Sequence, residues 1–459
     1  MPPVSRTSQL PRKITDISTA TSVTMDEHNQ STQEAPRIHL ASLGCAKNLV
    51  DSEQLLAKIA TAGGLVGAAA EEADIIIVNT CGFIAPATAE SLATIREYAA
   101  FKRDGVCQRL IVMGCLIERG AGQLCEEVPE VDAVFGLGQH DAIVAACGLN
   151  SEADDGARLL LTPPHTAYLR ISDGCDNRCA YCTIPLIRGP LRSRSPEEIL
   201  DEVGGLVELG VRELNVIGQD TTSYGKDLEG SPTIEMLLGR LAKTPNLRWL
   251  RLLYTHPAYF TELLIDAYAS LDLLCPYVDI PLQHLSDDVL RRMGRRATQA
   301  ECLRLIDRLR ERIPGVAIRT TFIVGFPGET RAQFDELVHL VETIRFDHVG
   351  VFRYSNEHGT PAATMPDQVS ERTKIKRQEV LMLAQQEIAF AASRAMLGKV
   401  VEVLIDRPSD DAGLWIGRTK TQAPDVDSVT FVRGDGIASG DFVDAQIVDV
   451  AGYDLIAQA

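Results

Sequence analysis

No run of about eighteen apolar residues occurs in the 459-residue chain, so no membrane-spanning helix is expected. The first 35 residues lack the apolar stretch of a secretory signal and read as a disordered tail rich in Ser, Thr, Pro and Gln. Asp16, Asp26, Glu27 and Glu34 argue against a transit peptide there. Basic residues are in deficit: 45 Lys and Arg face 63 Asp and Glu, a formal net charge of −18. Nucleic-acid backbones are held by neutralising phosphates with cations. Strong direct nucleic-acid binding is therefore not expected, and a basic protein partner fits the charge better. Eleven cysteines without a secretory signal point to metal sites in a reducing, cytoplasmic compartment and not to disulfides.

Six of those cysteines fall into two patterns. Cys175, Cys179 and Cys182 have C-x₃-C-x₂-C spacing, on a loop just past an apolar strand from Tyr168 to Ile171. Thiolates are soft ligands that select iron–sulfur clusters, zinc or copper(I). Structural zinc sites and ordinary clusters take four protein ligands, and no nearby His or fourth Cys completes this trio. Three thiolates leave one iron open, which is where a cofactor or substrate binds. A zinc loop or a set of buried free thiols is the plainer alternative.

Cys45, Cys81 and Cys115 form the second pattern. Apolar runs at 37–43, 75–78 and 110–113 each end at one of them. Helices are expected between, over 49–62 with Asn48 as its cap and over 87–101. Cys45 to Cys81 is 36 residues and Cys81 to Cys115 is 34, each about one βαβ unit. The carboxyl ends of parallel strands share one sheet edge, where ligands bind, so these thiols are expected to converge. Flanking glycines would let the backbone approach a bulky inorganic group. One such Cys alone would pass as a small strand-end residue. Cys107, Cys125, Cys147, Cys275 and Cys302 are read as small core residues.

The pattern predicts an α/β chain. An open parallel α/β sheet occupies 36–150, ending with a strand near 132–136, and an acidic linker follows at 151–156. Over 160–392, strands are expected at 166–171, 212–217, 247–253, 277–280, 316–323 and 348–352. Helices are expected near 196–209, 232–243, 259–272, 286–312 and 330–343. Six repeats describe a partial (β/α)6 barrel, too short to close at eight, with functional groups at strand carboxyl ends. A charged helix over about 368–395 reads as solvated. From Val400 the pattern turns to alternation and turns, giving a small all-β domain within 394–459.

The cysteine loop resembles the signature of radical S-adenosylmethionine enzymes. From residue 36 onward the chain resembles the methylthiotransferases among them, in three parts. These are a methylthiotransferase N-terminal domain (36–150), a radical SAM core (160–392) and a TRAM domain (394–459). Gly44-Cys-Ala-Lys-Asn48 with Val50-Asp-Ser-Glu53 resembles the RimO branch, which methylthiolates the β-carbon of an aspartate in ribosomal protein uS12. So do Ile171-Ser-Asp-Gly-Cys175 with Ile184-Pro-Leu-Ile-Arg-Gly189, and Tyr277-Val-Asp-Ile-Pro-Leu-Gln-His284. The transfer-RNA branch usually carries Gln-Met-Asn after its first cysteine, where this chain has Ala46-Lys47-Asn48. The 35-residue tail has no counterpart in the pattern.

The resemblance implies two 4Fe-4S clusters, on Cys175/Cys179/Cys182 and on Cys45/Cys81/Cys115, with S-adenosylmethionine on the open iron of the first. An electron entering that cluster would cleave the cofactor to methionine and a deoxyadenosyl radical, which takes a hydrogen from the substrate. The second cluster would hold the sulfur that another cofactor molecule methylates. An electron donor and a sulfur source are implied partners. No catalytic side chain is singled out, because the cofactor carries the hard chemistry.

Tyr181 would lie beside the cofactor's adenine, or only pack under the loop. Gly325, in Ile323-Val-Gly-Phe-Pro-Gly-Glu329, would admit the adenine or ribose edge, or serve an ordinary turn. Gln219 with Asp220, and Gln283 with His284, would bond cofactor or substrate, or cap loops. Arg188 would hold a carboxylate or pair with a surface acid. Residues 399–459 carry five basic side chains (Lys399, Arg407, Arg418, Lys420, Arg433) against eleven acidic ones, which suits a basic ribosomal protein better than phosphates. Two other functions fit less well: 2-methylthio transfer to adenosine in transfer RNA, and non-catalytic iron–sulfur electron transfer.

Overall fold

The computed structural model describes residues 34–120, 124–150 and 156–459, so nearly all of the tail and of the acidic linker lies outside the described residues. The chain divides into two compact units, Met1–Leu161 with Leu186–Arg188, and Thr162–Pro185 with Gly189–Ala459.

The first unit is built on five parallel strands: β1 (Arg37–Ser42), β2 (Leu65–Val66), β3 (Ile75–Thr80), β4 (Arg109–Gly114) and β5 (Val131–Phe135). Their order is β2-β1-β3-β4-β5. Period-two alternation decides what each face packs against. Ile75, Ile77, Ile111 and Met113 meet Leu55 and Ile59 of the helix Ala46–Thr61, and Ile143 and Val144 of the helix His140–Ala146. Ile76, Val78, Leu110 and Val112 meet Ile95, Tyr98 and Ala99 of the helix Ala85–Asp104. A strand reading Ile-Ile-Ile-Val is thus covered on both faces. The two-residue β2 was not legible, being too short to alternate.

The second unit carries six parallel strands: β6 (Thr166–Arg170), β9 (Glu213–Ile217), β10 (Trp249–Leu252), β11 (Tyr277–Asp279), β12 (Ala317–Val324) and β13 (His348–Arg353). A short antiparallel ribbon, β7 (Ser172–Asp173) with β8 (Arg192–Ser193), flanks the first of them. The six lie in two sheets, β6-β9-β10 and β11-β12-β13. These are bridged where Cys275 N donates to the carbonyl of Leu250 (2.8 Å) and Thr255 N to that of Asp279 (3.1 Å). The result is the expected partial barrel of six strands.

Two helices differ from expectation. The stretch 286–312 is broken into Asp287–Arg292 and Gln299–Arg312. Gly294 at φ +72° ends the first turn run, and Thr298 with Glu301 forms a capping box that starts the second. The helix Glu371–Arg394 is no solvated rod. Gln378 donates to the carbonyl of Val351 (2.8 Å) and Gln385 to that of Phe346 (2.9 Å), with Leu381 and Ile388 buried between. It covers β13, an edge strand that would otherwise be open to pairing.

The C-terminal strands β14 (Val400–Pro408), β15 (Leu414–Thr419), β16 (Thr430–Arg433), β17 (Phe442–Ala451) and β18 (Asp454–Gln458) close a small barrel in the order β14-β15-β16-β18-β17. Its interior is Val403, Ile405, Val432, Ala445, Ile447, Leu455 and Ala457. This barrel seats on the amino ends of the six-strand arc through buried ions. Glu213, fully buried, takes Arg418 at 2.7 Å and Arg251 at 3.3 Å. Arg418 also pairs with Asp406 at 2.8 Å, and His165 lies 3.2 Å from that carboxylate. Tyr168 and Tyr277 donate to Asp425 (3.0 Å) and Asp427 (2.6 Å), and Trp249 donates to Glu402 (3.0 Å). Four of the domain's eleven acids are therefore engaged inward, which weakens the reading of its charge as a docking surface. Among the described residues no helix is long and apolar enough to cross a membrane.

Burial raises the Asp406 carboxyl, but Arg418 and His165 overcome it and hold the group down at about 2. A carboxyl depressed in the folded state stabilises above its unfolded value near 3.9 and loses that contribution as pH falls through the folded value. Asp406→Asn should therefore lower the urea-unfolding free energy of the second unit by roughly 2 kcal/mol at pH 6. The gap between variant and wild type should narrow as the pH is taken from 4 towards 2. An equal gap at both ends would contradict this assignment.

Candidate metal centres

Each cysteine of the first trio sits where a strand stops. Cys45 follows β1 and caps the helix Ala46–Thr61, Cys81 follows β3, and Cys115 opens the helix Cys115–Gly120 directly after β4. Cys45 is exposed, while Cys81 and Cys115 are buried. Burial is the main cause that pushes the Cys81 thiol up to about 11 and Cys115 up to about 12. Cys45 adds to the rise of both, and Cys81 to that of Cys115.

The glycines act differently from the expectation. A Cβ on Gly44 (φ +91°) would lie 2.8 Å from Cys81 Cβ, and one on Gly114 (φ +102°) would lie 2.4 Å from Asn79 Oδ1. They let the strand-end turns approach one another, which indirectly packs the thiols into one corner.

Asn48 is the organiser of that corner. Sequence reading made it a helix cap, but the cap position is Cys45 and Asn48 is a buried residue inside the helix. Its Nδ2 donates to the carbonyls of Leu43 (3.0 Å) and Thr80 (2.9 Å), tying the ends of β1 and β3. Its Oδ1 accepts from Cys115 Sγ at 3.4 Å and from Arg188 Nη2 at 2.8 Å. One side chain thus touches the ends of all three cysteine-bearing strands. Arg188, buried in this unit, also donates to Asp51 at 3.0 Å, and its Nη2 lies 3.7 Å from Cys115 Sγ. It does not pair with a surface acid: Asp51 is buried. Ser52 donates to Ser42 (2.9 Å) and accepts from Asn79 (3.0 Å), while Glu53 holds the buried Arg158. The available signal was spacing: Asn48 and Asp51 are three apart and share a helix face.

The second trio lies on the loop after β7. Cys175 N donates to the carbonyl of Gly189 (3.1 Å), Cys182 N to that of Cys179 (3.1 Å), and Ala180 N to that of Met293 (2.8 Å), which pins the loop. All three thiols are half-buried. Burial first, then Cys179 and Cys175, pushes Cys182 up to about 12. Asn177 reaches Cys175 Sγ (3.4 Å) and Asp220 (2.7 Å), and accepts from Tyr259 (3.1 Å). Arg295 Nη1 stands 3.9 Å from Cys179 Sγ. Neither Asn177 nor Arg295 was singled out in the sequence, since no local pattern marks them.

The candidate cofactor contacts divide. Tyr181 stands edge-on to Phe326 with 6.5 Å between ring centroids, beside Val289, Met293 and Tyr354, so packing beneath the loop is realised. Gly325 (φ +75°) has its would-be Cβ 2.3 Å from Lys374 Cγ; glycine is needed there by the long helix. Asp220 caps Thr222 and Ser223. His284 Nδ1 accepts from Ser286 N (2.9 Å) and its Nε2 faces Glu329 (3.4 Å), so both are part of the scaffold. Gln219 donates to Asp173 (2.7 Å), yet its Oε1 is buried with no hydrogen-bond partner among the described residues. Gln283, at φ +70°, also has a buried, unpartnered Oε1. A bound ligand or an ordered water could supply the missing donors.

Among the described residues no three Cys, His, Asp or Glu side chains are gathered tightly enough for one metal ion. Thiolate trios suit a larger group, whose ligands are spread over several irons. Metal binding to thiols displaces their protons.

Three family models match the chain: the radical SAM superfamily over residues 169–341, uncharacterized protein family UPF0004 over 37–136, and the TRAM domain over 397–459. Among curated relatives, the ribosomal protein uS12 methylthiotransferase RimO of Syntrophus aciditrophicus (strain SB) is 45% identical over 442 residues, 92% of this chain and 98% of the relative. RimO of Geotalea uraniireducens (strain Rf4) is 45% identical over 444 residues, 93% and 99%. Among solved structures, the radical S-adenosylmethionine methyltransferase TsrM of Kitasatospora setae, with cobalamin and a [4Fe-4S] cluster bound, superposes with a TM-score of 0.51 at 16% identity. It covers 72% of this chain and 77% of that one, and indicates a shared fold.

Asn48→Ala would remove donors from one buried and one part-buried carbonyl, Thr80 and Leu43, at about 1–3 kcal/mol for the buried one. The expected result is a lower denaturation midpoint for the first unit and faster maleimide labelling of Cys81 and Cys115 in the metal-free chain, with Cys182 unaffected. Labelling rates equal to wild type would show that Asn48 does not hold this corner.

Proposed function

Because the chain belongs to the RimO family of ribosomal protein uS12 methylthiotransferases, we propose that it is a radical S-adenosylmethionine transferase that methylthiolates the β-carbon of an aspartate in uS12. The observation that carries this reading beyond a generic radical enzyme is the second thiol corner at 45, 81 and 115, tied by Asn48. A radical enzyme with one task has no use for it; an enzyme that must also store and deliver sulfur does.

Cys175, Cys179 and Cys182 would hold one 4Fe-4S cluster, and Cys45, Cys81 and Cys115 another. When bound, the clusters and S-adenosylmethionine supply a hydrogen-abstracting radical and a methylated sulfur, chemistry that no side-chain acid or base offers. The chain's own residues bind and orient. Gln219 and Gln283 offer buried acceptors to the cofactor's amino or hydroxyl donors at the strand carboxyl ends. Tyr181 and Gly325 contribute shape there, as packing beneath the loop and as a turn that admits the long helix. Asn177 and Arg295 direct N–H groups at Cys175 and Cys179 and so fix the sulfurs.

The domain boundaries that go with this function are 36–150, 160–392 and 394–459, preceded by a tail over 1–35. A one-electron donor, a sulfur source and the basic uS12 are the partners, in the cytoplasm. Direct nucleic-acid binding is not required of a chain with net charge −18.

Anaerobic reconstitution should load about eight irons on wild type and about four on Cys175→Ala/Cys179→Ala/Cys182→Ala, two four-iron groups reduced to one. Loaded wild type should add one methylthio group to uS12, read by mass spectrometry, and none to transfer RNA. Wild type with only about four irons would refute the second cluster, and modification of transfer RNA alone would move the enzyme to the adenosine-modifying branch.

A further inference from the structure

Buried ion pairs are costly, since each charge must be taken out of water. Arg188 and Asp51 form such a pair at 3.0 Å, with side chains 2% and 6% exposed. Their position is unusual. The Arg188 Nη2 that meets Asp51 also donates to Asn48 Oδ1 at 2.8 Å and lies 3.7 Å from Cys115 Sγ. Asn48 Oδ1 in turn receives Cys115 Sγ at 3.4 Å. A fixed cation is therefore held against one sulfur of the first trio, with a fixed anion on its other side. Other charged groups nearby are Glu90, which acts on Cys81, Arg119, whose Nη1 donates to the carbonyl of Gly82 (2.9 Å), and the buried Lys47.

Three thiolates carry three negative charges, and an iron–sulfur group on them gains one more on one-electron reduction. In a poorly solvated corner, charges a few ångströms away act with little screening. Reduction potentials of such groups respond to net charge, to hydrogen bonds on the sulfurs and to burial.

We propose that Arg188 is a positioning residue that holds a compensating positive charge on the Cys45/Cys81/Cys115 cluster, and that Asp51 sets how much of that charge the cluster feels. The inference rests on the two-cluster reading. It concerns the charge balance of the sulfur-holding cluster, to which neither residue serves as a ligand. The guanidinium stabilises the reduced form and raises the midpoint potential. The Asp51 carboxylate attenuates the effect and keeps the fork of Arg188 aimed at Asn48 and Cys115.

The test uses the full chain carrying Cys175→Ala/Cys179→Ala/Cys182→Ala, reconstituted anaerobically, counted for iron, and titrated with dithionite under electron paramagnetic resonance. Arg188→Met in that background should shift the midpoint to more negative potential. Arg188→Lys, which keeps the charge and loses the fork, should lie nearer the background value. Asp51→Asn should shift it to more positive potential. Opposite shifts from Arg188→Met and Asp51→Asn are the signature that a merely structural role would not give. If Arg188→Met does not load, Asp51→Asn decides alone, a positive shift supporting the inference and an unchanged midpoint overturning it. Four irons with unmoved midpoints in both variants overturn it while leaving the two clusters standing. A background that binds no iron overturns the two-cluster reading, and this inference with it.

Discussion

Parallel strands that end level deliver whatever follows them to one edge, and in the first unit that constraint is enforced by one amide. Asn48 binds the terminal carbonyls of β1 and β3 and faces the cysteine after β4. The backbone carbonyls it meets lie at the strand ends, and buried carbonyls demand donors. Asn79 reinforces the clamp by donating to the Asn48 carbonyl (2.8 Å) and to Ser52 (3.0 Å), and Thr80 Oγ1 by donating to that of Met113 (2.6 Å). The level ending of the three cysteine-bearing strands is thus tied to polar satisfaction at their ends. The apolar sheet faces set only the orientation of the strands.

The second unit solves the same problem by local means. Its three thiols lie within eight residues, and the loop is pinned by backbone bonds to Gly189, Met293 and its own Cys179. Beneath it, Tyr181, Phe326 and Tyr354 form an aromatic floor. At the opposite end of the strand arc the ionic seat of Glu213, Arg251, Arg418 and Asp406 joins the small barrel to the same body. Removing Glu213, which Arg251 and Arg418 share, would leave uncompensated buried charge, at about 3–5 kcal/mol. The small barrel therefore belongs to the structural integrity of the arc, whatever its outer face meets.

Cysteine spacing and strand composition were enough to read most of this from sequence. The 36- and 34-residue intervals placed Cys45, Cys81 and Cys115 each just past a parallel strand because βαβ units have a characteristic length. The six arc strands were legible to within a residue or two because buried β-runs are short, apolar and bounded by turns. What sequence did not reveal was side-chain direction. Asn48 precedes an apolar helical run and reads as a cap, yet its amide turns back onto the sheet. Arg188 gives no hint that its guanidinium is buried against Asn48 and Asp51. The acids at 402, 406, 425 and 427 counted as surface charge, although they answer Trp249, Arg418, Tyr168 and Tyr277. Cys125, grouped with the core thiols, is exposed. Each of these depends on a partner at least a dozen residues away or on which side of a short helix faces out, and neither is a local property.

The two corners therefore differ in when they can exist. The loop at 175–182 brings its donors together over a span the unfolded chain closes readily, since short loops cost little entropy. The corner at 45, 81 and 115 requires β1, β3 and β4 to be paired in register, which means 70 residues must be ordered before three sulfurs meet. Parallel, non-local pairing is slow to form. Once formed, it buries two of the thiols and raises their proton affinity. On the proposed two-cluster reading, a group loaded there would displace thiol protons, and Arg188 Nη2, 3.7 Å from Cys115 Sγ, would stand beside the charge that results.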